Sequence, residues 1–162
     1  MLIKTIEWLG DRAIIIDQTR LPQEEIYLEL TSYHDVAQAI KNMSIRGAPA
    51  IGVAAAYGIA LGASEIKAAT KSQFLKEFQE VTKIIASTRP TAINLFRVIE
   101  RMSRVANAGK DIEEVKKALT SEAIKIHAEE KEATRRLSQL GAELIGDGSG
   151  ILTHCNTGPL AT

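Results

Sequence analysis

The stretch GAPAIGVAAAYGIALGAS, residues 47–64, contains no charged side chain. Its length approaches the roughly 20 residues of a membrane span. It consists mostly of alanine and glycine, however, with few large apolar side chains. Pro49 suits the first turn of a helix, because the N–H group that proline lacks has no partner in that turn. The stretch therefore predicts a helix that is buried in a soluble protein and packed closely by its neighbours.

The residues before this helix have the pattern of a small antiparallel β-sheet. Residues 3–8 and 13–16 are candidate strands, and Gly10 and Asp11 form a turn between them. Residues 26–30 alternate apolar and polar side chains, which is typical of a strand with one face in solvent. We expect three short strands before the first helix.

Four further helices are indicated by capping or helix-starting residues that precede apolar side chains at helical spacing. Their expected caps or first residues are Ser32, Ser72, Pro90 and Asp111. The first helix covers residues 35–42, and the last runs to about residue 145, as one helix or as two. The fold class is therefore α+β, with a small β part followed by a helical bundle over residues 1–146.

A different kind of structure is predicted to begin at residue 147. The glycine-rich turn at residues 146–150 precedes the apolar run Ile151-Leu152-Thr153, which predicts the first strand of a new α/β domain over residues 147–162. A single strand at a terminus would leave its backbone groups unpaired. We therefore expect this chain to be the front part of a longer protein, or one product of a cleaved one.

Composition narrows the classes of partner. The formal net charge is zero, and no block of like charge stands out. This argues against nucleic acid or an acidic membrane surface as the main partner, since both attract basic proteins. The single cysteine cannot form an internal disulfide, which favours a cytoplasmic setting. The N-terminal residues MLIKTIEWLGD lack the apolar core of a signal peptide.

Two segments place an arginine just before a proline that can start a helix. In Ile45-Arg46-Gly47-Ala48-Pro49, free N–H groups and the positive end of the helix dipole would attract an anion. Gly47 permits close approach, and Arg46 supplies a fork of donors suited to phosphate. The alternative is a tight loop whose glycines serve helix packing. Arg89 repeats the pattern as a second cation, with a solvated loop arginine as the alternative.

Cys155, the only cysteine, directly follows the predicted last strand. Ligands of parallel sheets bind at the carboxyl ends of the strands. Thr157 and Gly158 can begin a turn whose N–H groups favour the thiolate, which can act as acid, base or nucleophile. The alternative is an inert, buried thiol. No zinc site is expected, because a strand would aim His154 and Cys155 apart. His127 is expected on a solvated face of the long helix.

Four motifs of this chain occur, in the same order, in the methylthioribose-1-phosphate isomerases, which it resembles over essentially its whole length. They are Asp17-Gln18-Thr19-Arg20-Leu21-Pro22, Ile45-Arg46-Gly47-Ala48-Pro49-Ala50-Ile51-Gly52, Ser87-Thr88-Arg89-Pro90-Thr91-Ala92-Ile93-Asn94-Leu95 and Thr153-His154-Cys155-Asn156-Thr157-Gly158. That family is grouped with the regulatory subunits of the initiation-factor 2B complex and with ribose-1,5-bisphosphate isomerases. The resemblance implies a Rossmann-like second domain and a homodimer.

The resemblance also implies an activity and residue roles. The activity is an aldose–ketose isomerase of methionine salvage, and hence of methionine biosynthesis. It would convert 5-methylthioribose 1-phosphate into 5-methylthioribulose 1-phosphate without metal or cofactor. Cys155 matches the catalytic cysteine, with Asn156, Thr157 and Gly158 as supporting residues. The positions that match the phosphate-binding residues are Arg46, Gly47, Ala48 and Arg89.

The match to the family is incomplete. The catalytic aspartate of the family, and an Asn-Lys pair that helps to hold the substrate, lie in the second domain, so residues 1–162 alone are expected to be inactive. Pro159 stands where the family more often has a small residue such as alanine. Two alternatives stay open, a ribose-1,5-bisphosphate isomerase and a non-catalytic regulatory subunit. The segments DQTRLP and RPTAINL favour the methylthioribose enzyme, and a thiol within THCNTG argues against a scaffold.

Overall fold

The computed structural model describes residues 4–154 and 157–161. These residues form a three-stranded antiparallel sheet followed by five α-helices and a short 3-10 turn at 158–160. The strands are β1 (Ile6–Trp8), β2 (Ala13–Ile16) and β3 (Tyr27–Leu30), in the order β1-β2-β3. The helices are α1 (Tyr33–Lys41), α2 (Ala48–Glu65), α3 (Lys71–Ser87), α4 (Ile93–Ala108) and α5 (Ile112–Ala142). The predicted small sheet followed by a helical part is confirmed.

The sheet buries one face against the helices. Ile15 of β2 pairs with Ile6 of β1 and with Leu28 of β3. Ala13 and Ile15 are fully buried, whereas Ile14, which points to the opposite face, is only half-buried. This alternation follows from the two-residue period of a strand. Strand β2 has the predicted bounds, whereas β1 and β3 begin later than predicted. Part of the first prediction, Ile3, lies outside the described residues.

Helix α2 is the centre of the fold. Every residue from Ala50 to Ala63 is buried, and α1, α3, α4, α5 and β1 all pack against this helix. A Cβ atom at Gly58 would lie 2.8 Å from Val36 Cγ1, and one at Gly62 would lie 2.5 Å from Val81 Cγ1. The absence of side chains at these glycines therefore permits α1 and α3 to approach closely. Within the described part of the chain, no helix is long and apolar enough to cross a bilayer.

Side-chain caps fix the starts of α1 and α3. Ser32 accepts a hydrogen bond from the Asp35 N–H group, and the Asp35 carboxylate accepts one from the Ser32 N–H group, which completes the predicted cap as a capping box. The predicted cap of α3, Ser72, is wrong. Thr70 is the cap, because its backbone is extended and its hydroxyl accepts from the Gln73 N–H group at 3.3 Å. Ser72 lies inside the first turn.

Replacing Thr70 by alanine should lower the free energy of unfolding by about 1 kcal/mol, because the Gln73 N–H group loses its acceptor. The matched control, Ser72→Ala, changes an exposed residue of the same turn and should alter stability by less than about 0.5 kcal/mol. Urea unfolding of both variants measures the difference. A larger loss for Ser72→Ala than for Thr70→Ala would contradict this assignment of the cap.

Helix α4 begins three residues later than predicted. Pro90 lies in a turn that is closed by a hydrogen bond from the Ala92 N–H group to the Arg89 carbonyl oxygen at 3.0 Å. Ala92 is the N-terminal cap, and Gly109 ends the helix as predicted. Proline suits both a turn and a first helical position, so its presence did not decide between them.

Helix α5 is one continuous helix. It is capped by Asp111 as predicted, since the Asp111 carboxylate accepts from the Glu114 N–H group at 2.8 Å. Its buried residues end at Ile126. Most of the remaining turns are exposed, and Leu137 keeps 73% of its surface accessible.

The structure does not show the strand predicted at Ile151-Leu152-Thr153. Residues 151–154 are exposed and carry no strand pairing in the part of the chain that is described, and Leu152 is 100% exposed. A strand needs the hydrogen bonds of a neighbour. The apolar run is present, but a partner for it is not among the described residues, whereas the turn predicted before it is formed by a bond from the Ser149 N–H group to the Gly146 carbonyl.

Candidate functional site

The start of α2 has a backbone that only glycine adopts readily. Gly47 is the N-terminal cap of the helix, with a φ angle of +99°. A Cβ atom at this position would lie 2.5 Å from the Cα atom of Ala161 and 2.8 Å from its carbonyl oxygen. Glycine is therefore needed at position 47 for two reasons: its backbone adopts this φ angle readily, and its lack of a side chain leaves room for Ala161.

The segment 158–161 lies across this helix start. The Ala50 N–H group donates to the Ala161 carbonyl oxygen at 3.1 Å, and the Thr5 hydroxyl donates to the Pro159 carbonyl oxygen. Ala161 is buried by these contacts. One of the free N–H groups expected at the helix start, that of Ala50, is thus engaged by Ala161, and the Ile51 N–H group makes the first bond within the helix, to Gly47.

Gln18 joins the two segments. Its side-chain amide nitrogen donates to the Leu160 carbonyl oxygen at 2.8 Å and to the Arg46 carbonyl oxygen at 3.4 Å. Its amide oxygen accepts from Arg46 Nε at 3.4 Å. The side chain is almost fully buried, with 1% exposure. Gln18 lies within a sequence motif, but no role was predicted for it, although a polar residue two positions after a buried strand was a usable signal.

The loop that carries Gln18 is fixed by Asp17. The Asp17 carboxylate accepts hydrogen bonds from the Thr19 N–H group at 3.0 Å and from the Thr19 hydroxyl at 2.7 Å. Partial burial acts to raise the pKa of Asp17, but these hydrogen bonds outweigh it and hold the pKa below its ordinary value. Asp17 is therefore ionised at neutral pH, and its hydrogen bonds to Thr19 fix the turn that contains Gln18.

The third motif, residues 87–95, reaches α2 through Asn94. A Cβ atom at Gly52 would lie 3.6 Å from Asn94 Cβ, so the first turn of α4 packs on the first turns of α2. Both residues line a cavity of about 350 Å³ together with Pro49 and Arg101. Arg101 is held by two carboxylates, Glu122 and Glu129, each at 2.5 Å.

Arg46 and Arg89 occupy different settings. The Arg46 side chain is exposed at the start of α2, as a phosphate-binding role requires. Arg89 is half-buried in the turn between α3 and α4. The structure brings the two motifs together through Gly52 and Asn94. The grouping of the two guanidinium groups around one anion stays a prediction.

A larger cavity, of about 970 Å³, lies between β1, α5 and the segment 157–159. Tyr57 and His127 line it, and the Tyr57 hydroxyl lies 2.6 Å from His127 Nδ1. Trp8 stacks on Tyr57 with ring centroids 4.8 Å apart. The prediction of a solvated His127 is wrong, because α5 packs over α2 and brings this histidine against Tyr57.

Both members of this pair are neutral at neutral pH. Burial raises the pKa of Tyr57 well above its ordinary value. Burial, helped by the positive charge of Lys131 and opposed by Glu7, lowers the pKa of His127 below its ordinary value. The pair is therefore suited to anchoring α5 on α2 through a neutral hydrogen bond, in a setting that disfavours charge.

Cys155, whose thiol is predicted to be reactive, lies outside the described residues, as does Asn156. Thr157 and Gly158 do begin a turn, as predicted, and Gly158 has a φ angle of +70°. Their effect on the thiol stays a prediction. Within residues 4–154 and 157–161, no three His, Cys, Asp or Glu side chains are grouped as a metal site would require.

Comparison of the sequence identifies close relatives. The chain is 59% identical over 160 residues to a protein of Dehalococcoides mccartyi (strain CBDB1) named methylthioribose-1-phosphate isomerase, and the match covers 99% of this chain and 48% of that relative. A protein of the same name from Geobacter metallireducens is 54% identical over 164 residues, with 100% and 47% covered. The chain spans about half the length of the curated relatives that it matches.

Two solved structures share the fold. The crystal structure of 5-methylthioribose 1-phosphate isomerase from Pyrococcus horikoshii matches with a TM-score of 0.91 and 42% identity, over 99% of this chain and 46% of that one. The translation initiation factor eIF-2B, subunit delta, from A. fulgidus matches with a TM-score of 0.86 and 42% identity, over 99% and 47%. The model of the initiation factor 2 subunit family matches residues 44–161, from the segment before α2 to the segment that packs on it. This chain belongs to the initiation factor 2 subunit family.

Proposed function

We propose that this sequence is the N-terminal half of an enzyme that converts 5-methylthioribose 1-phosphate into 5-methylthioribulose 1-phosphate in methionine salvage. Relatives that carry the name of this isomerase are 51–59% identical along the whole chain. One structural observation carries the proposal. Three of the four motifs meet at the start of α2, through Gln18, Gly47 and Asn94, and residues 160–161, just after the fourth motif, pack on the same helix start.

The substrate poses a definite chemical problem. Its anomeric oxygen carries a phosphate, so the ring cannot open as the ring of a free sugar does. An acid must assist ring opening, and a proton or hydride must then pass between C2 and C1. We assign Cys155 to this chemistry, with Asn156, Thr157 and Gly158 in support. A catalytic aspartate would come from the second half of the protein.

The phosphate-binding role falls to Arg46, Gly47, Ala48 and Arg89. Arg46 is exposed, and the Gln18 amide contacts its Nε atom, which leaves the terminal nitrogens of the guanidinium to face a ligand. The positive end of the α2 dipole lies at Gly47 and Ala48. An anion there would be bound by a fixed cation and a helix end together.

The same proposal covers the organisation of the whole protein. Residues 1–146 form the N-terminal domain, and residues 147–162 begin a Rossmann-like domain. The enzyme is a cytoplasmic homodimer that requires no metal or cofactor, and it has neither nucleic acid nor a membrane as a partner. The zero formal net charge supports the last point.

The named relatives favour the isomerase over the alternatives. The fold alone does not separate an isomerase from a regulatory subunit, since structures titled with either name match at TM-scores of 0.91 and 0.86. The relatives cited here at 51–59% sequence identity are all named methylthioribose-1-phosphate isomerase. A regulatory subunit or a ribose-1,5-bisphosphate isomerase is therefore not favoured.

Replacing Arg46 by alanine in the full-length protein should raise the KM for 5-methylthioribose 1-phosphate roughly 10-fold or more, because a hydrogen bond to a charged group contributes about 1.5–3 kcal/mol. The matched control is Arg20→Ala, which removes an exposed arginine that is paired only loosely with Glu24, at 3.8 Å. Steady-state kinetics should show an unchanged KM for this control. An unchanged KM for Arg46→Ala would exclude Arg46 from the phosphate site.

A further inference from the structure

We propose that Gln18 is a positioning residue, which holds the phosphate-binding start of α2 in register with the segment that follows Cys155. The inference rests on the proposed function and adds a residue to it. Gln18 would not touch the substrate. It would act through Arg46 on one side and through Leu160 on the other.

The contacts of Gln18 fix the orientation of its amide. The amide nitrogen faces two carbonyl oxygens, those of Leu160 and Arg46, which can only accept hydrogen bonds. The amide oxygen faces Arg46 Nε, which can only donate. A glutamine is therefore matched to this position at both ends of its amide. A glutamate could still accept from Arg46, but it would set a carboxylate oxygen against the Leu160 carbonyl.

The backbone around Gln18 is anchored independently of its side chain. The Gln18 N–H group donates to the Ser44 carbonyl oxygen at 2.9 Å, and the Asp17 N–H group donates to the Ile26 carbonyl oxygen at 2.8 Å. These two hydrogen bonds connect the loop to the start of β3 and to the segment before α2. A side chain on such a fixed loop can set the distance between the two segments that it contacts.

Loss of the amide should loosen the terminal segment without unfolding the domain. Two other hydrogen bonds hold that segment, from Thr5 to Pro159 and from Ala50 to Ala161. The bond at Ala50 is a local reporter, because its N–H group is protected from exchange only while Ala161 lies on the helix start. Ile59, fully buried in the middle of α2, reports on opening of the whole helix.

The first experiment measures amide hydrogen exchange in residues 1–162 with Gln18→Glu, with Gln18→Leu and with the control Gln23→Glu, which changes an exposed glutamine five residues away. We expect exchange at Ala50 to rise about 10-fold relative to exchange at Ile59 in both Gln18 variants, and to stay constant in the control. An unchanged ratio in the Gln18 variants, or an equal rise in the control, would overturn the proposal.

The second experiment measures steady-state kinetics of the same variants in the full-length protein. We expect Gln18→Glu to raise the KM for 5-methylthioribose 1-phosphate and to lower kcat, each several-fold, while Gln23→Glu changes neither. An active wild type with an unaffected Gln18→Glu variant would overturn the positioning role. An inactive wild type, with the exchange result as expected, would overturn the proposed function and leave the contact between the two segments established.

Discussion

Replacing Cys155 by serine in the full-length protein should lower kcat for 5-methylthioribose 1-phosphate about 10²–10⁴-fold, the usual contribution of a positioned acid or base. The reason is chemical, since a serine hydroxyl gives up its proton far less readily than a thiol does. The substitution removes no charge from the phosphate-binding residues, so the affinity for a phosphate-bearing ligand should stay within about twofold.

The control for this variant is Asp147→Asn, which changes an exposed carboxylate in the turn before the motif. Asp147 has no role in the proposed chemistry, so kcat should be unchanged. Turnover and ligand binding are measured separately in both variants. A Cys155→Ser variant that keeps kcat within a few-fold of the wild type would contradict the catalytic assignment of Cys155.

Replacing Gly62 by leucine should destabilise the domain by about 3 kcal/mol or more, at the upper end of the cost of overpacking a core. A Cβ atom at Gly62 would already lie 2.5 Å from Val81 Cγ1 and 3.2 Å from Tyr33 Cδ1. The remaining leucine atoms would have to displace α3 from α2, at the most buried helix of the fold.

The matched control is Gly141→Leu, also in a helix. A Cβ atom at Gly141 would meet nothing within 4 Å, so the substitution should stabilise α5 by up to about 1 kcal/mol through helix propensity. Urea unfolding of the two variants measures both effects. A Gly62→Leu variant as stable as the wild type would show that α2 and α3 are not packed as described.

The sequence predicted helix α2 correctly, because the evidence for this helix lies within its own residues. An uncharged stretch of alanine and glycine with Pro49 at its start has few alternatives to a buried helix. The N-terminal cap of α3 was harder to predict, since Thr70 and Ser72 both have suitable hydroxyls. Only the extended backbone of Thr70 distinguishes the two residues. The start of α4 was misplaced for a similar reason, because Pro90 suits a turn as well as a helix.

The parts of the site that depend on distant contacts could not be predicted. The properties of a helix start predicted Arg46 and Gly47 as anion-binding residues. Nothing in the sequence near Ala50 predicts that its N–H group bonds to the Ala161 carbonyl oxygen. His127 was predicted to be solvated, since its neighbours in sequence are charged, whereas its partner Tyr57 comes from another helix. The strand predicted at 151–153 would likewise need a neighbouring strand, and none pairs with it among the described residues.

The central claim is that this sequence belongs to an isomerase of 5-methylthioribose 1-phosphate. The most direct measurement is the kcat/KM of the full-length protein on that substrate and, under the same conditions, on ribose 1,5-bisphosphate. We predict formation of 5-methylthioribulose 1-phosphate with a kcat/KM at least about 10-fold above that for the bisphosphate, a difference of roughly 1.4 kcal/mol in transition-state binding. No turnover of 5-methylthioribose 1-phosphate, or a higher kcat/KM on ribose 1,5-bisphosphate, would contradict the claim.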